Sequence, residues 1–152
     1  LVLSCLHYLE VVNISKTQIV GDLSVFKSTP QLRKLSLFGC SGITGDITVF
    51  ENTPQLQLLD LYMCSRLTGS LNFVKYLSQL SNLTLDSSMI TGNFSFLKHS
   101  TKLKEIRFGS MQLGGNLSIF QGCNRLQVLV ILSDRKVNGT IKVFSGCKNL
   151  HE

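Results

Sequence analysis

Leu56-Gln57-Leu58-Leu59-Asp60-Leu61-Tyr62-Met63-Cys64-Ser65-Arg66-Leu67-Thr68-Gly69-Ser70-Leu71-Asn72-Phe73-Val74 decides the architecture of this chain. Leu59 and Leu61 flank Asp60, an alternation of period two that marks a half-buried strand. Thr68-Gly69-Ser70 then supplies residue types suited to a tight bend. The same wording recurs along the chain. Leu9, Leu32, Leu56, Leu80, Leu103, Leu126 and Leu150 each open a unit, 23 or 24 residues apart. Three residues on stands Val12, Leu35, Leu59, Leu83, Ile106 or Leu129, and two further on Ile14, Leu37, Leu61, Leu85, Phe108 or Ile131. An apolar residue then precedes a glycine by two, from Ile19 with Gly21 to Val137 with Gly139. The units close on Phe26, Phe50, Val74, Leu97, Phe120 and Phe144. A unit with one apolar face cannot bury it alone, so neighbours must stack.

These columns resemble the leucine-rich repeat, through L-x-x-L-x-L positions and an apolar-x-Gly-x-apolar step in six concordant units, the step reading [IL]-T-G-[DSN]-[LI] in full at 43–47 and 67–71. The resemblance implies an α/β-type solenoid, mostly β and loop with little helix. A parallel sheet would line the concave face, with short strands, turns and 3₁₀ pieces on the convex face. The T-G-x-[IL] segment is similar to plant-type repeats, in which a second short strand forms there. The usual Pro after it is absent, and V-F or I-F follows instead, a variant similar to algal and protist repeats. The family's ladder asparagine is also missing. Its position holds Thr17, Cys40, Cys64, Ser88, Met111 and Asp134. Met111 cannot donate a hydrogen bond, so that rung should be irregular. The Thr-Pro segments at 27–31 and 51–55 fit short 3₁₀ turns. Residues 1–152 read as one solenoid segment with partial units at both ends, expected to be a fragment of a longer chain.

Composition agrees with a packed stack. Of 152 residues, 43% are hydrophobic and only 16% charged, against roughly 25% charged in ordinary soluble proteins. No apolar run approaches the roughly 20 residues of a membrane-spanning helix, so direct membrane insertion is not expected. The net charge is +6. It sits mainly in the second half, too sparsely for a nucleic-acid stripe, so no nucleic-acid partner is expected. Lys98, Lys102, Lys104 and Arg107 form the densest basic group, read as a solvated face. The five cysteines follow no zinc or haem spacing. Cys40 and Cys64, stacked by register, read as ladder thiols or as a bridge if geometry allows. Unbridged thiols lean the reading toward a reducing intracellular or organellar compartment over secretion, with the compartment left open.

Chemistry on such a stack belongs at the outward strand positions. One column reads Val11, Lys34, Leu58, Asn82, Glu105, Val128. The next reads Asn13, Ser36, Asp60, Thr84, Arg107, Val130, and the third Ser15, Phe38, Tyr62, Asp86, Gly109, Leu132. These columns vary while the core columns do not. Phe38 and Tyr62 are column neighbours, with Leu58 and Asp60 beside them, and aromatics flanked by polar groups are typical binding anchors. An ordinary cross-strand pair that stabilises the sheet would place them there equally well. Val128, Val130 and Leu132, with Leu129 and Ile131 between them, make a strand apolar on both faces, which asks for cover. The expected partner-binding set is Phe38, Leu58, Asp60, Tyr62, Asp86, Arg107, Val128, Val130 and Leu132.

Catalytic signals are weak. His7, His99 and His151 occupy different repeat columns. Asp22 and Asp46 share a column that could hold calcium, but two turn-capping aspartates explain them better. Of five Asn-x-Ser/Thr triplets, starting at Asn13, Asn82, Asn93, Asn116 and Asn138, those at Asn93 and Asn116 repeat because the unit itself reads G-N-x-S. No catalytic residue, cofactor or metal site is expected. The resemblance implies a non-enzymatic scaffold that binds a protein partner through the concave face. The first alternative is a structural or peripheral subunit of a large assembly, such as an algal membrane or photosynthetic complex. The second is the repeat part of a longer enzyme or receptor.

Overall fold

Each L-x-L triplet folds as a short strand whose leucines point inward. In the computed structural model, which describes residues 4–87, 89–132 and 136–151, there are six such strands. They are β1 (Val11–Asn13), β3 (Lys34–Ser36), β5 (Leu58–Leu61), β7 (Asn82–Leu85), β9 (Glu105–Phe108) and β11 (Val128–Ile131). They pair in chain order as one parallel sheet. Lys34 faces Leu58, Leu58 faces Asn82, and Asn82 faces Glu105. The repeat register read from the sequence is therefore the strand register.

The T-G segments build the second sheet. β2 (Val20–Asp22), β4 (Gly42–Asp46), β6 (Arg66–Ser70), β8 (Ile90–Asn93), β10 (Gln112–Asn116) and β12 (Lys136–Asn138) pair in parallel order across the stack. Glycine is required where the chain leaves this sheet. At Gly45 the backbone has φ +113°, and an added Cβ would lie 2.8 Å from the Asp22 carboxylate below. The residue after each glycine then caps a 3₁₀ turn. Asp22 accepts from the Ser24 N–H at 2.9 Å and Asp46 from the Thr48 N–H at 2.8 Å. Ser70, Asn93, Asn116 and Thr140 do the same in their units. These bonds, with the Ser24 N–H foremost, hold the Asp22 carboxyl below its usual range. The aspartates thus cap turns, as the simpler reading held.

The 3₁₀ turns lie earlier than the Thr-Pro segments suggested. They span Leu23–Ser28 and Ile47–Asn52. Thr29 and Thr53 close them, fully buried, each hydroxyl donating to the carbonyl of Phe26 or Phe50 at 2.8 Å. Each carbonyl also accepts from the same threonine's backbone N–H, so the bond's further role is to satisfy a hydroxyl buried in the core.

Between the sheets runs one continuous core from Leu23 to Leu126. Phenylalanines thread it: Phe26 to Phe50 at 6.1 Å, Phe50 to Phe73 at 6.1 Å, Phe94 to Phe120 at 5.7 Å. In the third and fourth units the ring comes from Phe73 and Phe94, not from the closing-column residues Val74 and Leu97. The polar ladder forms where thiols and hydroxyls reach a carbonyl one strand back. Cys40 donates to Ile14 O at 3.2 Å and Cys64 to Leu37 O at 3.1 Å, both as free thiols. Burial pushes the Cys64 thiol up to about 11. In the fourth unit the rung is Ser87, buried and donating to Leu67 O at 2.8 Å. Ser88 and Asp134, named for the ladder, lie outside the described residues. Met111 is buried in the core and makes the apolar rung expected of it.

Candidate functional site: a depression on the concave sheet

The outward faces of β3 to β11 form a depression of about 420 Å³, within the roughly 300–1,000 Å³ usual for ligand sites. It is lined by Phe38, Asp60, Tyr62, Thr84, Arg107, Phe108, Val130 and Leu132. Its relief follows from the third column. Phe38 and Tyr62 stack with centroids 6.0 Å apart and planes 24° apart. Two strands on, Gly109 has no side chain, and Leu132 rises again beyond it, 52% exposed. The stacked rings at one end and Leu132 at the other bound the hollow, with Thr84 and Arg107 between them, while the Asp86 carboxylate takes the space over Gly109.

The polar groups inside are held in place. Asp60 accepts from the Tyr62 N–H at 3.2 Å and from the Ser36 hydroxyl at 3.2 Å. Ser36 is itself bonded to Ser15 at 2.8 Å. Arg107 Nε donates to Glu105 at 2.6 Å, and the other Glu105 oxygen accepts from Asn82 at 2.9 Å. Lys16 places its ammonium 5.3 Å from the Phe38 ring centre.

Six of the nine sequence-derived residues line this hollow: Phe38, Asp60, Tyr62, Arg107, Val130 and Leu132. Leu58 and Val128 stand in the first column, outside it. Asp86 shares the third column, but its carboxylate turns to accept from the Ser110 N–H at 2.8 Å, which anchors the next loop. Thr84 and Phe108 were missed. Thr84 sits in register between Asp60 and Arg107, a signal already present in the second column. Phe108 occupies a core column, and nothing in its pattern marks it as lining a surface.

The basic group read as a solvated face is not one patch. Arg107 lies on the concave sheet, paired with Glu105. Lys98 lines a separate hollow on the 3₁₀ side, with Ser118 and Arg125. Lys102 reaches Gln79 at 2.5 Å. Among the described residues, no three or more His, Cys, Asp or Glu side chains come together as a metal set. No helix there is long and apolar enough to cross a membrane. Of the Asn-x-Ser/Thr triplets, Asn82 is committed to Glu105. Asn116 donates to Asn138 at 2.9 Å, an exposed rung of the second sheet.

No family model matches the chain, and no curated protein matches it. Solved structures do. The plant peptide hormone receptor RGFR1, in complex with RGF2, aligns over 93% of this chain with a TM-score of 0.74 and 21% identity. The leucine-rich-repeat ectodomain of the Arabidopsis thaliana receptor kinase GASSHO1/SCHENGEN3, in complex with CASPARIAN STRIP INTEGRITY FACTOR 2, aligns over 95% with 0.73 and 21%. Internalin C2 of Listeria monocytogenes aligns over 97% with 0.71 and 17%. This chain spans 23% and 18% of the two receptor chains and 71% of the internalin. At these identities the likeness is one of fold.

Proposed function

We propose that this leucine-rich-repeat solenoid is a non-enzymatic recognition module that binds a protein partner through the hollow of its concave sheet. The observation that carries the reading is the convergence of stacked Phe38 and Tyr62, apolar Val130 and Leu132, and anchored Asp60 and Arg107 on one hollow. Half-buried aromatic and aliphatic anchors beside fixed charges are what a protein contact uses. The RGFR1 and GASSHO1/SCHENGEN3 structures, each in complex with a named partner, support it by analogy of fold. The activity of any longer protein that contains this segment is part of the proposal.

A second reading, a structural subunit of a large assembly, is favoured by Val20 and Ile141. They stand 82% and 80% exposed away from the concave sheet. One experiment separates the two: parallel native captures from the source organism with three baits, read by quantitative mass spectrometry. A partner released by Phe38→Ser with Tyr62→Ser supports the concave module. A partner released by Val20→Ser with Ile141→Ser, and retained by the first pair, supports the subunit.

A further inference from the structure

The hollow is lined by one carboxylate, Asp60, and one guanidinium, Arg107. In the second and third outward columns stand Asp60 and Asp86 and a single cation, Arg107, which is already bridged to Glu105. Asp86 is turned to the Ser110 N–H and Glu105 stands in the first column, so Asp60 is the carboxylate that lines the hollow, in a chain that carries +6 overall. The lysines and arginine of the same face sit elsewhere. Arg33, Lys34 and Lys104 lie at the N-terminal starts of the strands, and Arg33 pairs with Glu10 at 3.7 Å. Among the described residues, no cation forms an ion pair with Asp60. The Asp60 carboxylate stands next to Tyr62 in a ring pair whose Phe38 member already carries a cation, Lys16, at 5.3 Å. A carboxylate beside aromatic faces is the chemistry that takes up a basic side chain. At the far end Val130 and Leu132 offer only aliphatic surface. Tyr62 and Leu132 are three strands apart, about 14 Å at the usual strand spacing. An extended peptide advances about 3.3 Å per residue, so four residues cover that distance and return a side chain to the same face.

We infer that the occupant of this hollow is an extended segment of a partner protein carrying a basic residue and, four residues away, an aliphatic one. The basic residue sits on Asp60 and the Phe38–Tyr62 rings, and the aliphatic residue on Val130 and Leu132. The chain's net charge of +6 opposes this only weakly, because exposed charges beyond a Debye length of about 8 Å are screened at physiological salt. The inference rests on the concave-face reading and adds the partner's chemistry to it.

The test is selection of random dodecapeptides on the 152-residue chain, followed by affinity measurement. Expected is enrichment of an Arg or Lys with Leu, Ile or Val four positions away. In a selected peptide, citrulline in place of the arginine weakens binding about tenfold on the wild-type chain, with no protein variant needed. Asp60→Asn, checked for folding by circular dichroism, removes the basic preference and keeps the aliphatic one. Leu132→Ser does the reverse. Enriched peptides that need Tyr62 but show no basic preference overturn this inference and leave the concave-face reading standing. Peptides indifferent to Tyr62 and Leu132, or no enrichment at all, overturn both. A chain that dimerises until Tyr62→Ser is introduced makes the occupant a second copy and overturns the peptide inference.

Discussion

β7 and β11 carry the same motif and end in different environments. In β7, Leu83 and Leu85 are fully buried, with a paired strand on each side. In β11, Leu129 and Ile131 are only half-buried, with β9 as their paired strand. With Leu117, Val137 and Phe144 they line an open apolar cleft. The inward pattern is equally good in both. Burial in a solenoid is therefore supplied by neighbours, and each repeat depends on the one stacked beside it.

Truncating the two leucines gives the largest expected contrast. Leu83→Ala should cost about 2–5 kcal/mol, the range for a fully packed leucine. Leu129→Ala should cost about 1 kcal/mol, because a half-exposed side chain has less transfer energy to lose. Urea unfolding of both variants checks this, and equal costs would break the comparison.

Glycines come next. Gly69 has φ +112°, and an added Cβ would meet the Asp46 carboxylate and Ile47. Gly69→Ala should cost about 1–3 kcal/mol through backbone strain and contact. Gly146, in the last unit, has open space around its Cβ position, and Gly146→Ala should stay within about 0.5 kcal/mol. Thermal melts resolve the difference.

The caps sharpen the comparison further. Asp46→Ala removes an acceptor 2.8 Å from Thr48 N–H and should cost about 1 kcal/mol. Thr140→Ala removes one at 3.4 Å from the Lys142 N–H and should cost clearly less in the same melts.

The smallest effect concerns the thiols. Cys64, in the centre, is fully buried and its thiol is pushed up to about 11. The neutral thiol is the form the fold favours. Its contribution to stability is full below the ordinary thiol range near 8.5 and is lost as pH rises toward 11. At pH 8, iodoacetamide should label Cys64 only as fast as the stack opens. Half-buried Cys123, also raised by burial, should react sooner. Mass spectrometry of a labelling time course reads both rates.

Much of this was legible before any coordinates. The L-x-L columns named the strands and their register, and the residues after the glycines named the caps. Phe38, Asp60, Tyr62, Arg107, Val130 and Leu132 follow from column position alone, because a period-two strand assigns each side chain to a face. What escaped has a local cause in each case. Ser87 escaped because the carbonyls it reaches, those of Ser65 and Leu67, belong to the preceding unit. Phe73 and Phe94 took the core ring positions because packing selects whichever neighbouring ring reaches the stack. Asp86 left the hollow because the Ser110 N–H, in the loop after the next strand, competes for its carboxylate.

The sequence by itself determined the repeat, the parallel register, the inward and outward sorting of side chains and the bend at each glycine, because all of these are set by spacing within one unit. Only the tertiary structure decided where the hollow lies, which carboxylates are engaged, and that the basic run from Lys98 to Arg107 divides between two faces. Those depend on distances between side chains of different units, and burial and charge balance at a point are sums over neighbours that no single unit contains.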